Sequence, residues 1–274
     1  MEKDVISVCR YYAFFFYPPT EKEIYTFLPV KVQKKQYKSI LEKMVQKDQL
    51  WRKSYDDEFR YQTQENKRAF ASFTRKHALA KQWVKEANKY MKIVKWIPWV
   101  RLLGFSGSLS MASVTQRSDI DLFVVTSFGS IWTVRFLLML YKQVIRVCDP
   151  HIGRLLCFNI FFDETGLAVR KHKQNIYIGH EILQMKPLFD KSQTYEKLLA
   201  RNRWLKHFFP NIRFRYHQRD NKYKVMKQPK ILSVIEVILK KIQQWWLLRK
   251  KYTYIDFGSQ VWLIQDDFEK NLQI

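Results

Sequence analysis

Cysteine is scarce in this sequence, and its three cysteines, Cys9, Cys148 and Cys157, show no paired spacing. Disulfides are rare in reducing compartments, so unpaired cysteines favour a reduced, cytoplasmic protein. The opening residues, Met-Glu-Lys-Asp, lack the basic start and the apolar core of a secretory signal peptide. We therefore expect no secretory signal.

Long apolar runs are also missing. Arg135 and Lys142 interrupt one apolar run, and Glu236, Lys240 and Lys241 interrupt another. A helix that spans a membrane needs ~20 apolar residues, which neither run supplies. We therefore predict no transmembrane segment.

Acidic residues are few relative to basic ones. The chain has 25 Asp and Glu against 49 Lys and Arg, a formal net charge of +24. Such an excess favours polyanionic partners, such as nucleic acid, nucleotides or an anionic membrane surface. A lysine-rich surface that only meets solvent would have the same composition. The 274 residues predict one to three domains, and 47% hydrophobic residues are enough to bury a sizeable core.

The most informative stretch joins two predicted strands, residues 100–105 and 120–126. Asp119 and Asp121 alternate with apolar neighbours at the second strand. Side chains alternate faces along a strand, so both carboxylates point the same way, roughly 6–7 Å apart. Two acids on one face repel each other unless they are solvated or neutralised. Mg²⁺ neutralises them well, because it prefers carboxylate oxygens.

Gly107 and Ser108 follow the first of these strands. A glycine lets the backbone approach a ligand closely, and the serine adds a hydroxyl. A glycine–serine turn that enters a helix points N–H groups at a phosphate. We expect Gly107 and Ser108 to bind phosphate groups.

Gly107-Ser108, a ten-residue spacer and Asp119-Ile120-Asp121-Leu122 together resemble the signature of the polymerase-beta-type nucleotidyltransferases. The wider pattern is similar to a group of uncharacterised bacterial and archaeal proteins. In that group a winged-helix-like segment precedes the nucleotidyltransferase core, and a helical region follows it. The resemblance implies an α+β fold whose core is a mixed sheet with helices.

The same resemblance implies an activity. Asp119 and Asp121 would be catalytic and would hold two Mg²⁺ (or Mn²⁺) ions, and Gly107 and Ser108 would bind a nucleoside triphosphate. The enzyme would move a nucleoside monophosphate to an acceptor hydroxyl on RNA, protein or a small molecule, and would release pyrophosphate. The alternative is a catalytically degenerate core that serves as a nucleic-acid-binding or regulatory protein.

In the resembled family a third carboxylate, on a strand beside the paired aspartates, binds metal and helps to deprotonate the acceptor. Asp163 is the only acid on the corresponding face of the strand predicted at 155–162. We therefore assign Asp163 as a catalytic residue and metal ligand, provided that no bulge intervenes in this strand. Asn159 is more central and satisfies the same alternation, but it is neutral. Otherwise residues 163–166 are simply a turn.

Three regions are predicted. Residues 1–64 would form the winged-helix-like domain, with three helices and a hairpin around Asp56 and Asp57. Residues 65–175 would form the nucleotidyltransferase core, beginning with a long helix, and residues 176–274 a helical C-terminal region.

Residues 201–251 are strongly basic, with interleaved aromatic side chains and only two acids, Asp220 and Glu236. Basic and aromatic side chains together suit RNA or another polyanion, through phosphate contacts and stacking. Two alternatives stay open. The segment could be a helical tail with core aromatics and solvated lysines, or its helix at 229–251 could lie on an anionic membrane.

Overall fold

The computed structural model describes residues 1–64, 68–214 and 230–263, which form a mixed α+β structure. The helices are α1 (Glu2–Phe14), α2 (Glu21–Phe27), α3 (Lys34–Gln46), α4 (Arg68–Met91), α5 (Gly107–Ser110), α6 (Ile131–Cys148), α7 (Pro150–Leu155), α8 (Ile176–Gln184), α9 (Thr194–Arg201), α10 (Leu205–Phe208) and α11 (Lys230–Arg249). The strands are β1 (Leu50–Tyr55), β2 (Glu58–Thr63), β3 (Val100–Phe105), β4 (Ile120–Thr126), β5 (Leu156–Asp163), β6 (Lys186–Asp190), β7 (Ile255–Asp256) and β8 (Gln260–Trp262).

The N-terminal unit consists of α1, α2, α3 and the antiparallel hairpin of β1 and β2. Thr20 and Glu23 form a capping box at the start of α2, which satisfies two backbone N–H groups there. Asp56 and Asp57 turn the hairpin with positive φ angles of 47° and 62°, a conformation that Asp tolerates better than most residues. The predicted three helices and hairpin are confirmed as elements.

A six-stranded sheet has the order β6-β3-β4-β5-β8-β7. β4 and β5 are parallel, and every other neighbouring pair is antiparallel. α6 and α7 lie between β4 and β5 in the chain, as a parallel pair requires, because parallel strands cannot be joined by a tight turn. The predicted mixed sheet is confirmed.

Apolar side chains cover both faces of this sheet. Leu122 and Val124 point into a core shared with α4 and α6. Phe123 and Val125 point to the opposite face, into a core that includes side chains from the N-terminal unit and α8. Burial on both faces explains why β4 is a continuous apolar run after Asp121.

α8 is held by aromatic side chains of the N-terminal unit. The buried His180 ring stacks between Tyr11 and Phe27, with ring centroids 3.9 Å and 3.8 Å away. One turn later, Gln184 Nε2 donates to the Tyr12 hydroxyl at 2.8 Å. His180 is therefore a core residue, and its packing fixes how α8 lies against the sheet.

The region predicted as helical after residue 176 also supplies strands, which corrects that prediction. β6 pairs with β3, and β8 pairs with β5. β7 and β8 have two and three residues, and β6 has five, so they offer little periodicity to recognise. Pairing with distant strands creates them. Among the described helices, none is long and apolar enough to cross a membrane.

Candidate active site

The predicted glycine–serine turn follows β3 directly and forms the first two residues of α5, beside the start of β4. Gly107 has a positive φ of 58°, and a Cβ built there would lie 2.4 Å from Asp121 Oδ2. The Ser106 N–H donates to the Asp121 carbonyl at 3.0 Å, which keeps the turn against the strand. Only glycine lets the backbone approach the Asp121 carboxylate this closely. Ser108 follows in the first turn of α5 and is partly buried.

Asp119 and Asp121 lie close enough to interact electrostatically. Asp119 is exposed just before β4, whereas Asp121 is partly buried at its second position. Burial, and then the charge of Asp119, raises the pKa of Asp121 to about 7. Burial also raises the pKa of Asp119, opposed by the positive charge of Lys142. Burial thus disfavours the ionised forms of both carboxyls, a condition that a bound cation would ease.

Glu181 on α8 is a third carboxylate at this turn, and sequence analysis missed it. Its Oε2 accepts a hydrogen bond from the Gly107 N–H at 3.0 Å. Burial, and then the charge of Asp121, raises the pKa of Glu181 to about 7, while the Gly107 N–H opposes the rise. The only sequence signal was an acid next to His180 in an apolar helix, which does not show where the helix docks.

Asn159 contacts Asp121 directly. Its Nδ2 donates to Asp121 Oδ1 at 2.6 Å, and Cys157 Sγ donates to Asn159 Oδ1 at 2.9 Å. The register of β5 against β4 shifts at this point, since Phe158 pairs with Leu122 and Ile160 pairs with Phe123. Asn159 is the extra residue of this bulge.

The expected placement of Asp163 is wrong. Asp163 pairs with Thr126, five residues after Asp121 along β4, which is roughly 17 Å away and on the opposite face. The bulge at Asn159 reverses the alternation that the sequence predicted. Asp163 Oδ1 instead accepts from the N–H groups of Thr165 and Gly166 and from the Thr165 hydroxyl, so it stabilises a turn.

Within residues 1–64, 68–214 and 230–263, no group of three or more His, Cys, Asp or Glu side chains is arranged to hold a metal. The two carboxylates of Asp119 and Asp121 nevertheless have the donor chemistry for one Mg²⁺, which commonly takes one or two carboxylates and completes its shell with water and substrate phosphates. A second ion lacks the ligand that Asp163 was expected to supply.

Comparisons of the chain with protein-family models, with curated proteins and with solved structures found no match. The resemblance to nucleotidyltransferases therefore rests on the motif residues themselves.

Replacing Gly107 by alanine is expected to destabilise the protein and to displace Asp121. A non-glycine residue at positive φ costs about 1–3 kcal/mol, and the collision with the Asp121 carboxylate adds to that cost. Gly258→Ala is the matched control, because Gly258 has a φ of 82° with nothing within 4 Å of an added Cβ. Urea unfolding should show a larger loss for Gly107→Ala, and Asp121→Ala should recover part of the difference. Equal losses in the two alanine variants would contradict the close contact.

Asp121 and Glu181 should each contribute a loss of stability to the metal-free protein as the pH rises from about 4 to about 7. Asp121 and Glu181 have a pKa of about 7 in the folded chain, above the pKa near 4 of unfolded carboxyls. The folded state therefore binds more protons in this window, and its advantage is lost as these groups ionise. The free energy of unfolding, measured by urea unfolding in EDTA, should fall less or rise more with pH in Glu181→Gln than in the wild type. Asp57→Asn, in the β1–β2 turn, should leave the slope unchanged; equal slopes in all three proteins would refute the prediction.

Proposed function

We propose that this protein transfers a nucleoside monophosphate from a nucleoside triphosphate to an acceptor hydroxyl. One observation carries the proposal: the Gly107 turn lies directly against Asp121, with Asp119 beside it. A phosphate-binding type of turn and a pair of acids with elevated pKa values thus meet at one point. Perturbed pKa values that cluster beside such a turn are typical of functional sites.

Asp119 and Asp121 are the residues that would hold Mg²⁺. A bound ion would supply charge neutralisation for the phosphates during transfer. Asn159 holds one oxygen of Asp121 in place through its 2.6 Å hydrogen bond, so Asp121 presents its other oxygen toward Gly107. Asp163 has no part in this proposal, because it lies on the opposite face of the sheet.

The transfer requires the acceptor hydroxyl oxygen to attack the α-phosphorus. A new oxygen–phosphorus bond forms as the bond to the β-phosphate breaks, pyrophosphate leaves with the bonding electron pair, and the hydroxyl proton passes to solvent. The protein contributes position and electrostatics rather than a covalent intermediate. In this proposal Gly107 and Ser108 contact the outgoing phosphates.

Glu181 complicates phosphate binding at the turn. Its carboxylate already accepts the Gly107 N–H, so a phosphate oxygen would compete for the same donor. Two anions cannot both use one N–H without strong repulsion. Triphosphate binding through Gly107 therefore requires Glu181 to be displaced or protonated.

The second candidate function is a degenerate nucleotidyltransferase core that acts as a nucleic-acid-binding or regulatory protein. Two observations favour it: a neutral Asn159 contacts Asp121, and Glu181 occupies the Gly107 amide. Calorimetric titration with Mg²⁺ and each nucleoside triphosphate separates the two functions. Transfer of label from a triphosphate to total RNA, protein extract or small molecules would then identify the acceptor; no binding of any triphosphate would reject the enzymatic function.

Asp119→Asn and Asp121→Asn should each abolish transfer while the protein stays folded, because both acids would be metal ligands rather than core residues. Labelled-product formation and circular dichroism check the two parts of this expectation. Asp163→Asn is the matched control. It should weaken the turn at residues 163–166 and lower the unfolding midpoint, yet keep specific activity in the folded fraction. Full activity in Asp119→Asn or Asp121→Asn would remove the metal role.

Glu181→Gln should tighten binding of the Mg²⁺–triphosphate complex. Glutamine can still accept the Gly107 N–H, but it carries no charge to repel a phosphate. Two like charges about 4 Å apart repel by about 1 kcal/mol even in bulk water, so removal of the charge should lower Kd by about fivefold or more. Calorimetry measures this change directly, with Glu164→Gln as a carboxylate-to-amide control at another part of the sheet. Weaker binding in Glu181→Gln would show that the carboxylate assists the ligand instead.

A further inference from the structure

The long helix α11 has an inverted distribution of polarity. Its inner side binds α6 through Glu236, which accepts hydrogen bonds from the N–H groups of Trp132 and Thr133, both at 2.7 Å. Gln243, also on this side, is buried, accepts from Arg135 Nη1 at 2.6 Å and donates to the Trp132 carbonyl at 2.8 Å. Polar contacts therefore attach α11 to the fold, with Leu247 as its buried apolar residue.

The outer side of α11 is apolar. Nine large hydrophobic side chains of this helix are each 38–70% exposed: Ile231, Val234, Ile235, Val237, Ile238, Ile242, Trp245, Trp246 and Leu248. An ordinary surface helix turns its apolar stripe to the core and its charges to water. Packing within the described chain does not explain this surface, which we call the outer α11 face, and a contiguous exposed patch of this kind marks a docking surface.

The charges on and next to the outer α11 face favour an anionic partner. Lys241, Arg249, Lys250 and Lys251 are exposed on or next to it. From residue 230 to 251 the only acid is Glu236, and its carboxylate is used by the N-terminus of α6. An anionic partner therefore meets cations and apolar side chains, and α11 itself has no other acid to repel it.

The aromatic side chains at the end of α11 also favour an anionic partner. Trp245 lies under the Arg249 guanidinium at 4.9 Å, and Trp246 stacks with Tyr252 at 5.9 Å. Aromatic rings paired with cations at one end of an apolar helix suit the boundary between lipid headgroups and acyl chains.

We propose that the outer α11 face binds the surface of an anionic lipid bilayer. The 20 residues of α11 would lie in the plane of the interface over about 30 Å, with the apolar side chains in the acyl boundary and the cations at the headgroups. The proposal concerns a lateral contact, since no described helix is suited to cross a membrane.

Two other occupants fit the face less well. A second copy of the chain would bring two surfaces of the same positive charge together, without acids on the face to pair them. A single-stranded nucleic acid would stack its bases on the tryptophans, but it would leave the aliphatic side chains of Ile231, Val234 and Ile238 without an apolar partner. The bilayer alone uses both the aliphatic side chains and the cations.

Sedimentation with lipid vesicles tests the proposal on the full chain. We expect the protein to sediment with vesicles of phosphatidylcholine and phosphatidylglycerol, and much less with pure phosphatidylcholine vesicles or at high salt, where surface charges are screened. The double variant Ile238→Ser with Trp245→Ser should bind the mixed vesicles about tenfold more weakly or worse, because two large apolar side chains no longer insert.

The matched control is Ile93→Ser with Trp96→Ser, which removes the same two residue types from another exposed position. It should bind as the wild type does. Ile231→Ser with Val234→Ser repeats the test at the other end of the helix, and thermal unfolding checks that each variant is folded. Failure to bind anionic vesicles would overturn the proposal, as would equal loss in the control pair. If the wild type does not bind vesicles but forms a dimer or binds RNA, and the Ile238 and Trp245 substitutions abolish that association, then the face binds the second copy or the RNA instead.

Discussion

The parallel pairing of β4 and β5, with its bulge at Asn159, decides where Asn159 and Asp163 lie relative to Asp121. Before the bulge, Cys157 pairs with Asp121, and after it Asp163 pairs with Thr126 on the opposite face. One inserted residue thus brings an amide to Asp121 and turns the following acid away. On these two strands, the candidate site therefore combines the carboxylate of Asp121 with the neutral amide of Asn159 because of this single irregularity.

A second constraint comes from the N-terminal unit. The stacking of His180 between Tyr11 and Phe27 fixes α8, and the next residue of that helix, Glu181, reaches the Gly107 amide. The packing of the N-terminal unit against α8 therefore holds the Glu181 carboxylate beside Asp121, although the two carboxylates repel each other. The elevated pKa values of Asp121 and Glu181 express that repulsion together with burial. The N-terminal unit acts on the candidate site by positioning α8, whatever else it contacts.

α11 uses its polar residues for folding and leaves its apolar residues outside. Glu236 satisfies backbone N–H groups at the start of α6, which otherwise have no partner in their own helix. This contact requires few apolar side chains, so the rest of the helix surface is not constrained by the core. The proposed lipid contact and the proposed transfer reaction depend on different residues and can be tested separately. Residues 215–229 of the predicted basic segment lie outside the described residues.

The sequence by itself determined the local features: the strands β3, β4 and β5, the glycine at the turn, and the pair Asp119 and Asp121, all of which follow from short-range spacing. Only the tertiary structure decided the rest. Asp163 was misplaced because a strand bulge changes alternation without a sequence mark, and Glu181 was missed because nothing local shows which helix docks beside a turn. The strands β6 and β8 were absent from the prediction because they are short and exist through pairing with distant partners. Local spacing depends on fixed backbone geometry, whereas register and docking depend on contacts between residues far apart in the chain.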